Sequence, residues 1–179
     1  MKQTVMRPVD LLVLIHLAVD DRDARTYAAV ASNLGVAASA VHGSVARARA
    51  ARLMGAPSDR DFVVHFPAFE RFLLHGAPYA FPATVGRPQR GIPTGVHAFD
   101  DTRDLVLEPS GSHVWPRASG THVGTSIAPL HGSVPDIASG RPLLYQALAA
   151  FDALRIGNVR ERELATARLS SLLKDGELA

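Results

Sequence analysis

His97, His113, His122 and His131 all fall in the middle of the chain, with Asp100, Asp101 and Asp136 near them in sequence. Neutral imidazole and carboxylate together make a zinc-binding donor set. Chelation, though, needs two ligands on one turn or one helix face. No pair here has that spacing, and His-Glu-x-x-His is absent. Ser110-Gly111-Ser112-His113 and Gly120-Thr121-His122 set hydroxyls beside imidazoles. Adjacency along a chain does not aim a base at a nucleophile, and no strand-to-helix nucleophile elbow accompanies them. Arg87-Pro88-Gln89-Arg90-Gly91 lacks the lysine arrangement of a phosphate-binding loop. With no cysteine, disulfides, thiolate ligands and a thiol nucleophile are excluded. The chain is therefore read as a non-enzyme, with no catalytic residue, no cofactor and no metal site expected.

Cationic residues offer a different chemistry. The formal net charge is only +2 over 179 residues, so overall charge selects no partner. Its distribution is more informative. Between Ala24 and Arg60 stand Arg25, Arg47, Arg49, Arg52 and Arg60 against a single acid, Asp59. A locally basic segment in a nearly neutral chain suits a phosphate-facing surface. It suits a solvated helix face equally well, and charge alone does not choose between them.

The elements that must position these residues follow from apolar spacing. At 47% hydrophobic the chain can bury a real core, as one domain or a small domain with an elaborated second half. No apolar run is long enough to cross a bilayer. The early run Leu11–Val19 is interrupted by His16, and the charged stretch Asp20–Arg25 stands where a signal-peptide cleavage site would be. A cytoplasmic protein is expected, without membrane contact.

Three segments are expected: 1–75, 76–142 and 143–179. In the first, Pro8 opens a helix carrying Leu11, Leu12, Leu14, Ile15 and Leu17. Thr26 caps a second helix, which runs to Leu34 and stops at Gly35. A third covers Ala38 to Arg52, followed by a hairpin from Leu53 to Val64 and a helix from Pro67 to Leu74. The second segment is dense in Gly and Pro. Its short apolar pieces, Tyr79–Phe81, Val96–Phe99, Leu105–Leu107, Val114–Trp115 and Ile127–Leu130, read as strands among irregular connections. The third is a helical hairpin broken at Gly157-Asn158, with Leu143, Leu144, Ala147, Leu148, Phe151 and Leu154 on one arm. The fold class is α+β.

Within this frame Tyr27–Ala46 reads as one mechanical unit. Ala31 is small where two helices cross, Gly35 supplies the sharp turn, and Val36 and Val41 pin the second helix on the first. That is a helix-turn-helix arrangement, in which the second helix enters the major groove. The stretch from Leu34 through Val41 to Arg47, continuing to Ala51-Arg52-Leu53-Met54, resembles the winged-helix regulators of the MarR type. The resemblance covers roughly the first 75 residues and places the wing at the Leu53–Val64 hairpin, with Arg60 near its tip.

The resemblance implies double-stranded DNA as partner and the outward side of the third helix as its contact. With Val41, Val45 and Ala48 turned inward, Ser39, His42, Gly43, Ala46, Arg47 and Ala50 face outward, and Ala40 lies beside Ser39. Ser39 suits a phosphate, His42 a base or phosphate, and Arg47 is the best base reader by donor geometry. Arg25, Arg49, Arg52 and Arg60 are the backbone contacts. This chain departs from the pattern at Gly43, where a long polar side chain is usual, and at Ala37, where Ser or Thr commonly caps. Base readout is thin, and phosphate contact, DNA shape or dimerisation must carry more. By the same resemblance the C-terminal hairpin is the interface of a homodimer.

The expected function is thus a sequence-selective DNA-binding transcriptional regulator. The alternative is an antitoxin or other protein-interaction subunit, whose winged helix is a scaffold, represses the chain's own promoter, or does both, and whose Gly/Pro-rich segment wraps a toxin-like protein partner.

Overall fold

The computed structural model describes residues 4–20, 26–55, 62–99 and 111–178. Helix α1 (Pro8–Val19) begins as the sequence suggests, with proline in its first turn and the Asp10 carboxylate accepting from the Arg7 amide at 2.8 Å. Every residue from Asp10 to Val19 is buried. A helix apolar on all sides is covered on all sides. α1 meets α3 (Ala38–Ala50) on one side and the C-terminal helices α7 (Pro142–Ile156) and α8 (Val159–Leu178) on others.

Thr26 caps α2 (Tyr27–Leu34) by accepting from the Ala29 amide at 3.1 Å. Gly35 then takes the left-handed conformation, φ 62°, and the Val36 amide donates to the Ala31 carbonyl at 3.0 Å. α3 closes with the same geometry, but here the left-handed residue is Arg52, φ 58°. The Arg52 amide donates to Arg49 and that of Leu53 to Ala48, both at 2.9 Å. The chain returns through an antiparallel bridge between Met54 and Val64, with Leu53, Met54, Phe62 and Val64 buried. The expected hairpin is present at its base; residues 56–61, including Arg60, lie outside the described residues.

The middle of the chain departs from expectation. Tyr79 and Ala80 belong to a short helix, α5 (Ala77–Ala80), that follows α4 (Phe66–His75), and Val96–Ala98 lie in a 3-10 turn. Leu105–Leu107 lie outside the described residues. The longest strand, β1 (Val85–Thr94), falls on a stretch containing Gly86, Pro88, Gly91 and Pro93, which strand propensity rejects. It is antiparallel to both β2 (His113–Pro116) and β3 (His122–Ile127), which touch each other in parallel and close a three-stranded ring. Gly91 pairs with both Pro116 and His122. A Cβ there would collide with the Trp115 carbonyl, so glycine is what lets the ring close.

A one-turn helix α6 (Val134–Ile137) precedes α7 and α8, which meet at Gly157-Asn158 as the sequence indicates. Asn158 and Glu161 cap α8 reciprocally. Leu144, Ala147, Leu148, Phe151, Leu154, Leu169, Leu172 and Leu173 all enter the core built around α1. The apolar stripe of the hairpin is therefore consumed inside the chain. Leu143, Val159 and Leu178 of the same hairpin stay exposed. The result is an α+β structure whose three segments share one core. Among the described residues, no helix is long and apolar enough to cross a membrane.

Candidate nucleic-acid interface

Among the described residues, α3 is held by one side only. Val41, Ser44, Val45 and Ala48 are buried against α1 and α2. On the opposite side Ser39, His42, Ala46, Ala50 and Arg52 are exposed, with Ala40 and Gly43 half-buried. The helix thus follows the Gly35 turn with an outer side that, among the described residues, is exposed at Ser39, His42, Ala46 and Ala50.

His42 is not a loose side chain. Its ring stacks on Tyr27 with centroids 3.4 Å apart and planes 11° from parallel, and Tyr27 in turn meets Phe62 edge-on at 4.8 Å. The stack fixes one imidazole on the outer surface and ties α2, α3 and the hairpin base together.

Arg47 has a different position from the one expected. Its Nε donates to Asp10 Oδ2 and its Nη2 to Asp10 Oδ1, both at 2.7 Å, a bidentate pair with a carboxylate that has no exposed surface. Ser44 donates to the same Oδ1 at 2.6 Å. The bond to Asp10 raises the Arg47 pKa further above its ordinary value, against a smaller opposing effect of burial. Gly43 explains how the side chain gets there. A Cβ at Gly43 would lie 3.0 Å from Arg47 Nη1, so the guanidinium rests in the space that glycine leaves. Arg47 and Gly43 are thus a structural pair, and Arg47 is held on Asp10 rather than extended outward as expected.

Arg49 is half-buried, with its Nε buried and without a hydrogen-bond partner among the described residues. Arg52 is exposed at the end of α3. Arg25 and Arg60 lie outside the described residues. The partners that sequence reading missed are Asp10 and Ser44. The available signal was an acid in the first turn of a helix whose only other polar side chain is His16, because a charge buried there demands a donor.

The same signal marks a second polar centre. Asp152, inside the apolar run of α7, accepts from Trp115 Nε1 at 2.6 Å and Thr94 Oγ1 at 2.8 Å, and pairs with Arg155. Arg155 also donates to the Phe81 and Ala128 carbonyls, so the network bolts the strand ring to α7. Nearby, the His97 and His113 rings are edge-on at 6.1 Å. Burial, then the neighbouring His97, lowers the His113 pKa below its ordinary 6.5, while Glu161 and Asp152 oppose the shift.

The remaining histidines have local partners. The Thr121 hydroxyl and His122 Nδ1 lie 2.9 Å apart on the surface, as do His131 Nδ1 and the Ser133 hydroxyl in a partly buried turn. The Ser112 hydroxyl donates to the Val123 carbonyl, and Asp136 pairs with Arg117. Among the described residues no three His, Asp or Glu side chains converge as a metal would require. No family model, curated protein or solved structure matches this chain.

Proposed function

We propose that this chain is a DNA-binding transcriptional regulator of winged helix-turn-helix type. The observation that carries the reading is the placement of α3, which is fixed to α1 and α2 by one side and open to solvent along the other, directly after a left-handed glycine turn. An α-helix presented in this way fits the width of a major groove.

Ser39 and His42 are the side chains offered to bases and nearby phosphates, His42 being held by its stack on Tyr27. Arg52, together with Arg25, Arg49 and Arg60, supplies phosphate contacts. With Arg47 engaged on Asp10, few base-reading side chains remain, and recognition leans on the phosphate backbone and on DNA shape. A homodimer would give two such helices the spacing of about 34 Å that one duplex turn requires, and the hairpin of α7 and α8 still offers it exposed Leu143, Val159 and Leu178.

The test is titration of the full chain with its own upstream DNA at several salt concentrations. Replacing Ser39 and His42 together with alanine is expected to erase the preference for that DNA over a scrambled duplex, while Arg52→Ala weakens binding to both alike. Absence of binding even at low salt defeats the reading. The make-up of the helix surface favours a second reading. The outer side of α3 is largely Ala38, Ala46 and Ala50, a smooth patch suited to another protein. In that case the chain is an interaction subunit such as an antitoxin, and it co-purifies with a stoichiometric toxin-like partner.

A further inference from the structure

The strand ring carries a charged surface that the α3 reading does not use. From Arg71 to Phe99, and again from Pro109 to Pro135, the chain contains no Asp or Glu. These stretches include all three strands. Along β1, every residue from Val85 to Arg90 is exposed. Successive residues of a strand point to opposite faces, so six exposed positions in a row mean that both faces of this half of β1 meet solvent. Opposite them on β3, His122 and Val123 are exposed too, with Val123 paired to Arg90 and Gly124 to Gln89.

Arg87 and Arg90 are the cations on this projecting ribbon. Arg87 has no ion-pair partner among the described residues. Among the described residues, Arg90 donates only to a neutral group, the Gly120 carbonyl, at 3.1 Å. Neither charge is neutralised by an acid on the ribbon itself. Around them lie neutral hydrogen-bonding side chains, Gln89 and Thr121, and the imidazole of His122.

The ribbon is physically joined to the turn that precedes α3. The turn after β2 is closed by the Gly120 amide donating to the Arg117 carbonyl. The Arg117 side chain donates to the Pro135 carbonyl and pairs with Asp136 at 3.3 Å. The same one-turn helix lies against the helix-turn-helix glycine. A Cβ at Gly35 would be 3.5 Å from the Ser133 Cβ and 4.0 Å from the Ile137 side chain. A continuous path of packed groups therefore runs from Arg90 through Arg117 and α6 to Gly35.

We infer that the β1–β3 ribbon is a second contact surface for duplex DNA, in which Arg87 and Arg90 bind the phosphate backbone of the same duplex that α3 faces. The inference rests on the reading of α3 as a DNA-facing helix and extends it. A two-stranded ribbon has the dimensions to lie along or within a groove. Two arginines that pair with no acid among the described residues are complementary to a polyanion rather than to a mixed protein surface. The proposal also accounts for how a recognition helix poor in long side chains obtains its affinity.

The experiment uses the full chain and a mixed-sequence duplex of about three turns, roughly 30 bp. Affinity is measured from low to moderate salt for the wild type, R87A/R90A and S39A/H42A, with thermal unfolding as the check on folding. R87A/R90A is expected to unfold as the wild type does and to flatten the slope of log affinity against log salt by about 2, at close to one unit for each phosphate that is no longer neutralised. Its affinity should fall by the same factor for every duplex sequence. An unchanged slope in R87A/R90A, with the wild type still binding, overturns the ribbon proposal and leaves α3 standing. A flattened slope in R87A/R90A beside an S39A/H42A variant that binds every sequence like the wild type retains the ribbon and removes α3. A wild type that binds no duplex at low salt overturns both.

Discussion

A carboxylate with no exposed surface keeps its charge only through the groups that donate to it. Asp10 has four such bonds, from Arg47 twice, from Ser44 and from the Arg7 amide. Arg47 supplies the only compensating charge among them, while its own side chain retains 19% exposure. Removing the arginine thus strands a buried anion, whereas removing the acid leaves a cation that still reaches water. Arg47→Ala should cost about 3–5 kcal/mol in denaturant unfolding, as breaking a buried pair does. Asp10→Asn should cost less, because an amide still bonds Ser44. If Arg47→Ala unfolds at the wild-type midpoint, the arginine is not structural and returns to consideration as a base reader. The distinction matters for any DNA-binding assay, since failure to bind in Arg47→Ala on its own reports a damaged fold.

Helix termination sets how the candidate interface is presented. α2 stops at Gly35, where the left-handed conformation costs nothing, but α3 stops at Arg52 in that same conformation. For a residue with a Cβ this stores roughly 1–2 kcal/mol. Glycine would release the strain and give back about 0.5–1 kcal/mol through its greater freedom in the unfolded chain. Arg52→Gly is thus expected to raise stability by about 0.5–1 kcal/mol while lowering DNA affinity at every sequence. A more stable variant with unaltered affinity would mean that Arg52 touches no phosphate. Strain retained at an exposed cation is in keeping with a residue kept for binding rather than for stability.

Over the whole molecule, α1 is the organising element. It is buried on every side because the N-terminal helices cover part of it and α7 and α8 cover the rest. The chain should therefore unfold in one cooperative transition, with calorimetric and van't Hoff enthalpies in agreement. A truncated 1–75 fragment, left with an uncovered apolar helix, should fail to fold. Two resolved transitions would show instead that the N-terminal segment is an independent domain.

What the amino-acid order determined by itself was local. The proline start of α1, the Thr26 cap, the Gly35 turn and the Gly157-Asn158 break each depend on a residue's own backbone preferences, and each stands where expected. Tertiary structure decided what local rules do not contain. β1 persists through two prolines and two glycines because two other strands, β2 and β3, hold it and glycine permits the approach. Arg47 turns inward because Asp10, thirty-seven residues earlier in the chain, has no other cation among the described residues. The C-terminal apolar stripe found its partner in the core around α1. Hydrophobic spacing shows that a surface must be buried, but only the folded chain selects what buries it.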